Sequence, residues 1–227
     1  MKKTDLAKLK LKIALFFALA FIILGAVLFI PAGTIFYWQA WIFLLILITA
    51  AFFVVIYFFQ RSPEFLERRI QFKEKESTQS KIIAIADIIF FSGFIFAGLD
   101  FRFGWSHVPV WLVLFSDLAV IIGYIPVFLA FRENPFAART VEIFPDHKLI
   151  DTGPYAIVRH PMYAGIIPMF LFMPLALGSF WALFFMLPVL GIIVARTLNE
   201  EEVLKRDLAG YENYCKKVRW RLYPNIW

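Results

Sequence analysis

Six apolar runs, separated by short polar or turn-rich stretches, dominate the chain: Ile13–Ile30, Trp38–Phe59, Ile82–Leu99, Pro109–Phe131, Gly165–Leu177 and Phe180–Ala195. The first four approach the roughly 20 residues that an α-helix needs to cross a hydrocarbon core. The last two are shorter and joined only by Gly178-Ser179, the pattern of a tight helical hairpin. This spacing predicts an all-α fold, a polytopic integral membrane bundle of about six transmembrane helices. Residues 1–131 form a four-helix membrane region with a polar loop at 60–81, and residues 132–227 form a second region of loop, hairpin and C-terminal helix.

Composition agrees with a bilayer. The chain is 61% hydrophobic with 28 phenylalanines, and its mean hydropathy is +0.74, whereas soluble domains are nearer half apolar. The first thirty residues have the charged start and apolar run of a signal peptide. The run is long for such a core and no small-residue cleavage site precedes Pro31, so a retained signal anchor is expected.

Charge supplies the orientation. Lys and Arg number five in the N-terminal arm, six in the Gln60–Lys81 loop, four in the Arg132–Arg159 loop and seven in the tail from Arg196 to Trp227. Only Arg102 falls on the opposite side, so both termini are expected in the cytoplasm. The net charge of +6 then reflects loops facing anionic lipid, and nucleic acid is not an expected partner. A single cysteine, Cys215, excludes an intramolecular disulfide, and three histidines far apart in the chain argue against a metal site. Trp38, Trp41, Trp105, Trp111 and Trp181 fall near the outer ends of the spans, as interfacial aromatics do. The 60–81 loop reads as a surface amphipathic helix with a charged connector. Asp87 and Asp117 lie inside spans; Asp87 can reach the interface, and Asp117 is either functional or hydrogen-bonded within the bundle.

Candidate chemistry concentrates in two places. The stretch from His147 to Gly165, HKLIDTGPYAIVRHPMYAG, places Tyr155, Arg159, His160, Pro161 and Tyr163 at the mouth of the hairpin. Pro161 suits the first turn of a helix, whose unpaired N–H groups favour an anion or carboxylate. Tyr155 and Tyr163 offer flat faces to a ring or a cation. The tail adds Arg196 and Glu200, four residues apart and so on one helix face, within the run Glu200-Glu201-Glu202. Tyr211, Tyr214 and Val218 follow on one face of a helix that would lie over the pocket. The bland alternative is helix anchoring at the headgroups by Arg159 and His160 and a solvated acidic run.

RHPMYAG preceded by GPY, then one hairpin, then R-x-x-x-E-E followed by Y-x-x-Y-x-x-x-V, resembles the isoprenylcysteine carboxyl methyltransferase family, with part of the pattern shared by phospholipid N-methyltransferases. The resemblance spans about Arg139 to Pro224. It implies S-adenosyl-L-methionine as cofactor, bound in the cytoplasmic 132–227 region, and the chain indeed has no G-x-G-x-x-G. By position it implies cofactor contacts from Thr140, His147, Lys148, Leu149, Ile150, Tyr155, His160, Pro161, Met162, Tyr163 and Glu200. Arg196 would meet the substrate carboxylate. The implied partner is a lipid-like or prenylated acceptor entering sideways from membrane lipid. A carboxylate acceptor needs positioning and desolvation more than a base. An amine acceptor must lose a proton, and Glu201 or an intramembrane aspartate is then the candidate base. The short N-terminal half and the Val218-Arg219-Trp220-Arg221 ending depart from the eukaryotic enzymes and leave the acceptor open. A sterol-reductase-type NADPH enzyme and a non-catalytic scaffold are the other readings.

Overall fold

The computed structural model describes residues 3–70, 77–134 and 148–227. Helix α1 (Lys3–Ala32) leads into α2 (Trp38–Arg61), a short α3 (Pro63–Ile70), α4 (Ser77–Phe103) and α5 (Val110–Glu133). A single 3-10 turn at Gly153–Ala156 precedes α6 (Pro161–Ala176), α7 (Trp181–Asp207) and α8 (Tyr211–Lys217). Among the described residues there is no strand. Among the described residues, five helices are long and apolar enough to cross a membrane: α1, α2, α4, α5 and α7. Where the hydrophobic pattern predicts six spans, the fifth, now α6, has 16 residues, roughly 24 Å against a core of about 30 Å.

The last span does not end where its apolar run ends. The pattern places a boundary at Ala195 and a separate C-terminal helix beyond it, but α7 continues unbroken through Arg196, Glu200 and Glu201 to Asp207. The residues after Ala195 are mostly good helix formers, and the break comes only near Gly210, where φ is +84°. Counted from Trp181, about 20 residues or 30 Å of helix bring Glu200 and Glu201 to the far boundary of the hydrocarbon. Independent of α7, the tail contributes only the seven residues of α8. Within the 60–81 loop, α3 is amphipathic but not merely superficial. Phe65 and Leu66 are buried against Phe58 and Phe131.

Each end of the bundle has its own fastening. At one end Asp100, just past the predicted span and 1% exposed, accepts the Ser106 amide at 2.7 Å and hydroxyl at 2.6 Å. It also accepts the Ser179 hydroxyl. Tyr37 donates to the Leu177 carbonyl at 2.5 Å. These bonds tie the start of α2, the end of α4 and the α6–α7 turn into one knot. The five candidate belt tryptophans lie exposed near this end. At the opposite end sit α3, the 148–160 segment and everything after α7.

α5 and α6 form the most extensive helix–helix contact. Gly123 and Gly165 make that approach possible. A Cβ on Gly165 would lie 2.4 Å from the Gly123 carbonyl oxygen, and one on Gly123 would lie 2.8 Å from the Gly165 carbonyl oxygen. Small residues at a membrane helix crossing let the backbones meet, and dispersion then holds them. Gly165 closes the RHPMYAG stretch, so the motif carries its own packing requirement.

Candidate active site

The segment before α6 is held to α5 from below. Thr152 donates to Glu133 at 2.5 Å, and Gly153 adopts φ +56° with the Glu133 side chain where a Cβ would stand. Past the 3-10 turn the chain reaches Arg159 and His160, both buried. His160 is the N-cap of α6 and Pro161 its first helical residue, with no side chain capping the helix. The His160 and Tyr163 rings then stack with centroids 5.7 Å apart and planes 17° apart.

Across from this turn stands α7. Tyr163 Oη donates to Glu200 Oε2 at 2.7 Å and accepts from Arg196 Nε at 2.7 Å. The one-face spacing of Arg196 and Glu200 is therefore real, and the hydroxyl between them is the bridge. Replacing Tyr163 with phenylalanine removes a group that satisfies both. Should the site hold the S-adenosyl-L-methionine that the sequence resemblance implies, its affinity is expected to fall roughly tenfold, the order of a lost hydrogen bond to a charged partner, with the melting temperature little changed. Titration calorimetry checks this.

Glu201, 2% exposed, faces the other way. Its Oε1 accepts Arg159 Nε at 2.6 Å and its Oε2 accepts Arg221 Nε at 3.1 Å. His160 Nε2 is 3.4 Å from the same Oε1 but forms no hydrogen bond among the described residues. Burial alone would lower the Arg159 pKa; the hydrogen bond and charge of Glu201 outweigh it and hold it above the usual arginine value. Arg159 Nη1 also donates to the carbonyls of Val218 and Arg219, each at 2.8 Å.

α8 closes one flank. Tyr211, Tyr214, Val218 and Leu208 form a buried cluster against which Leu149 and Leu204 pack. Tyr214 donates to the Tyr155 carbonyl at 2.7 Å. Burial, then the nearby Glu201 and Cys215, push the Tyr211 phenol above the ordinary tyrosine range, so it stays protonated. Its hydroxyl has no partner among the described residues.

Of the residues singled out in the sequence, the fold gathers His160, Pro161, Met162 and Tyr163 with Arg196, Glu200 and Glu201 at the α6–α7 mouth. Leu149 and Tyr155 join them through α8. Ile150 is half-buried beside Leu149 in sequence, and Lys148 is exposed. Thr140 and His147 lie outside the described residues. Asp87 is exposed; Asp117 is buried in α5, and neither of its carboxyl oxygens has a hydrogen-bond partner among the described residues. Sequence reasoning missed Arg221 and the Asp100 knot. Two arginines at alternate positions, Arg219 and Arg221, were the available signal for the first, since a buried carboxylate requires cationic partners.

The geometry meets a match from known families here. Residues 111–209 match the family described as Phospholipid methyltransferase. This region is similar to that family over somewhat less than half of the chain. The match runs from α5 through the whole of α6 and α7, and so takes in the RHPMYAG turn and the Arg196–Glu201 face. A second similarity is to the Delta(14)-sterol reductase of Mus musculus, 28% identical over 105 residues. That alignment covers 43% of this chain and 25% of the reductase, so the shared part is about a quarter of the relative's length.

Proposed function

We propose that the protein transfers the methyl group of S-adenosyl-L-methionine to a membrane-embedded amphipathic acceptor, and that this acceptor presents a carboxylate as in isoprenylcysteine O-methylation. The Glu200–Tyr163–Arg196 bridge carries the reading, because it sets one anion and one cation side by side at the membrane boundary. The residues fit the cofactor. Glu200 is an acceptor for an ammonium group, the Tyr155 and Tyr163 rings suit a sulfonium, and the buried His160 Nε2, 3.4 Å from Glu201, has no hydrogen-bond partner among the described residues and is open to a ligand acceptor. Leu149, Ile150, Pro161 and Met162 give the apolar remainder. The bound cofactor supplies an already activated methyl group. Arg196 orients an ionised acceptor, and the buried surroundings exclude competing water.

An apolar cavity of about 360 Å³ supports a lipid-like acceptor. Phe17, Leu24, Leu47, Tyr124 and Met173 line it together with Ile166, which lies one helical turn beyond Tyr163. In this reading the acceptor's tail occupies the cavity while its head reaches Arg196. The site, like both termini, faces the cytoplasm, on the charge asymmetry of the loops.

Mass spectrometry of lipid and protein extracts incubated with methyl-labelled S-adenosylmethionine tests this. Arg196→Ala is expected to lower labelled product roughly 10- to 100-fold, the worth of a charge-assisted bond to the acceptor. Undiminished labelling would remove Arg196 from the acceptor site. The family match favours a second reading, N-methylation of a lipid amine, which the same spectra distinguish as a methylamine rather than an ester. The reductase similarity favours a third, an NADPH-dependent membrane reductase. Thermal stabilisation by S-adenosylmethionine and not by NADPH is the expected outcome, since a ligand raises the melting temperature only of a protein that binds it.

A further inference from the structure

The two adjacent glutamates bond in different directions. Glu200 meets Tyr163 on α6, and Glu201 meets Arg159, four residues earlier in the turn that precedes α6. The two rungs tie α7 to one continuous stretch, the 159–160 turn and the first turn of α6, so the height of one constrains the height of the other. The rung at Glu201 is the better anchored. Its side chain is 3% exposed, and residues 218–223 strap the turn from outside. Arg159 N donates to the Trp220 carbonyl at 2.9 Å and His160 N to the Arg221 carbonyl at 2.8 Å. Tyr223 Oη donates to the Ala164 carbonyl at 2.6 Å. Arg221 itself lies over the Trp227 ring, 5.0 Å from its centroid, and its amide donates to the Trp227 carbonyl.

A general base needs a lone pair turned toward its substrate. Both Glu201 oxygens are turned toward guanidinium groups, with His160 Nε2 also 3.4 Å from Oε1, and neutralising the carboxyl would leave the buried Arg159 and the partly exposed Arg221 without their counter-charge. We propose that Glu201 is a positioning residue: the Arg159–Glu201–Arg221 cluster, clamped by the 218–223 strap, sets the His160–Tyr163 turn against α7 and thereby aligns Tyr163 with Glu200 and Arg196. This rests on reading that trio as the cofactor and acceptor site. In this proposal Glu201 acts through Arg159 and the neighbouring His160 rather than on a ligand.

The test uses the full-length protein in lipid nanodiscs, with Glu201→Gln and Glu201→Asp compared by S-adenosylmethionine calorimetry and by hydrogen–deuterium exchange over 155–165. Glu201→Gln is expected to weaken cofactor affinity on the order of 100-fold, the scale of an ångström-sized misplacement, and to speed exchange of the Arg159 and His160 amides. Glu201→Asp, which keeps the charge, is expected to recover most of both. The rate of labelled-methyl incorporation into a total lipid extract keeps its pH profile and changes only in scale. Wild-type affinity and exchange in Glu201→Gln overturn the proposal, as does loss of the acidic limb of the profile, which marks a base. If Glu201→Gln fails to fold, Arg221→Ala removes one tie from a side chain 28% exposed, and its unchanged exchange at 159–160 is equally decisive against the cluster. A wild type that binds no S-adenosylmethionine defeats the functional reading alone; the exchange data still decide the tie.

Discussion

Glu200→Ala is expected to weaken S-adenosylmethionine binding by about 100-fold or more, beyond ordinary calorimetric detection, while the protein still folds. Two losses combine. The carboxylate no longer meets a cationic ligand group, a charge-assisted contact of roughly 1.5–3 kcal/mol. The Tyr163 hydroxyl also loses its acceptor, so its hold on Arg196 is no longer directed. Glu200 is half-buried on α7 and takes no part in the Arg159–Arg221 cluster, which is why stability is expected to survive. A calorimetric titration of the variant beside wild type is the check, and wild-type affinity would remove Glu200 from the cofactor site. Glu202, exposed on the same run, serves as the control, with no change expected from its replacement by alanine.

The second large effect is expected at Gly165, where valine should lower the melting temperature and abolish cofactor binding together. Its Cβ would stand 2.4 Å from the Gly123 carbonyl oxygen and 3.0 Å from a Val127 methyl. Backbone cannot move aside as a side-chain tip can, so α6 must lift from α5. Overpacking of this kind costs about 1–3 kcal/mol, and the displaced helix carries Tyr163 with it. Thermal unfolding in detergent and calorimetry on the same preparation test the pairing. A stable Gly165→Val protein with intact binding would show that the α5–α6 approach is looser than the geometry indicates.

These two positions mark how unevenly the site can be read from the chain. Glu200 and Arg196 share a helix, so their common face follows from the 3.6-residue period alone. Pro161 as the first residue of α6 follows from the same local logic. The end of α7 did not follow: a fall in hydropathy at Arg196 looks like a helix boundary, but hydropathy reports the solvent and not the backbone. Asp100 carried no local signal at all. It stands one residue past an apolar run, near the end of α4, yet it is buried among Ser106, Ser179 and Tyr37. Its partners come from segments up to 79 residues away, so no local pattern contains them.

By itself the sequence determined the helical membrane architecture, and it singled out the two stretches of candidate chemistry that the fold brings together. Helical period and run length against bilayer thickness are properties of neighbouring residues, and they survive without knowledge of what packs on what. Only the tertiary structure decided what each polar residue is for. Glu200 and Glu201 are adjacent and chemically identical, yet their Cα–Cβ directions differ by about 100° around α7. One therefore meets Tyr163, and the other is enclosed by Arg159 of the turn and Arg221 of the strap. A buried carboxylate is defined by the charges that surround it, and those charges come from three separate parts of the chain.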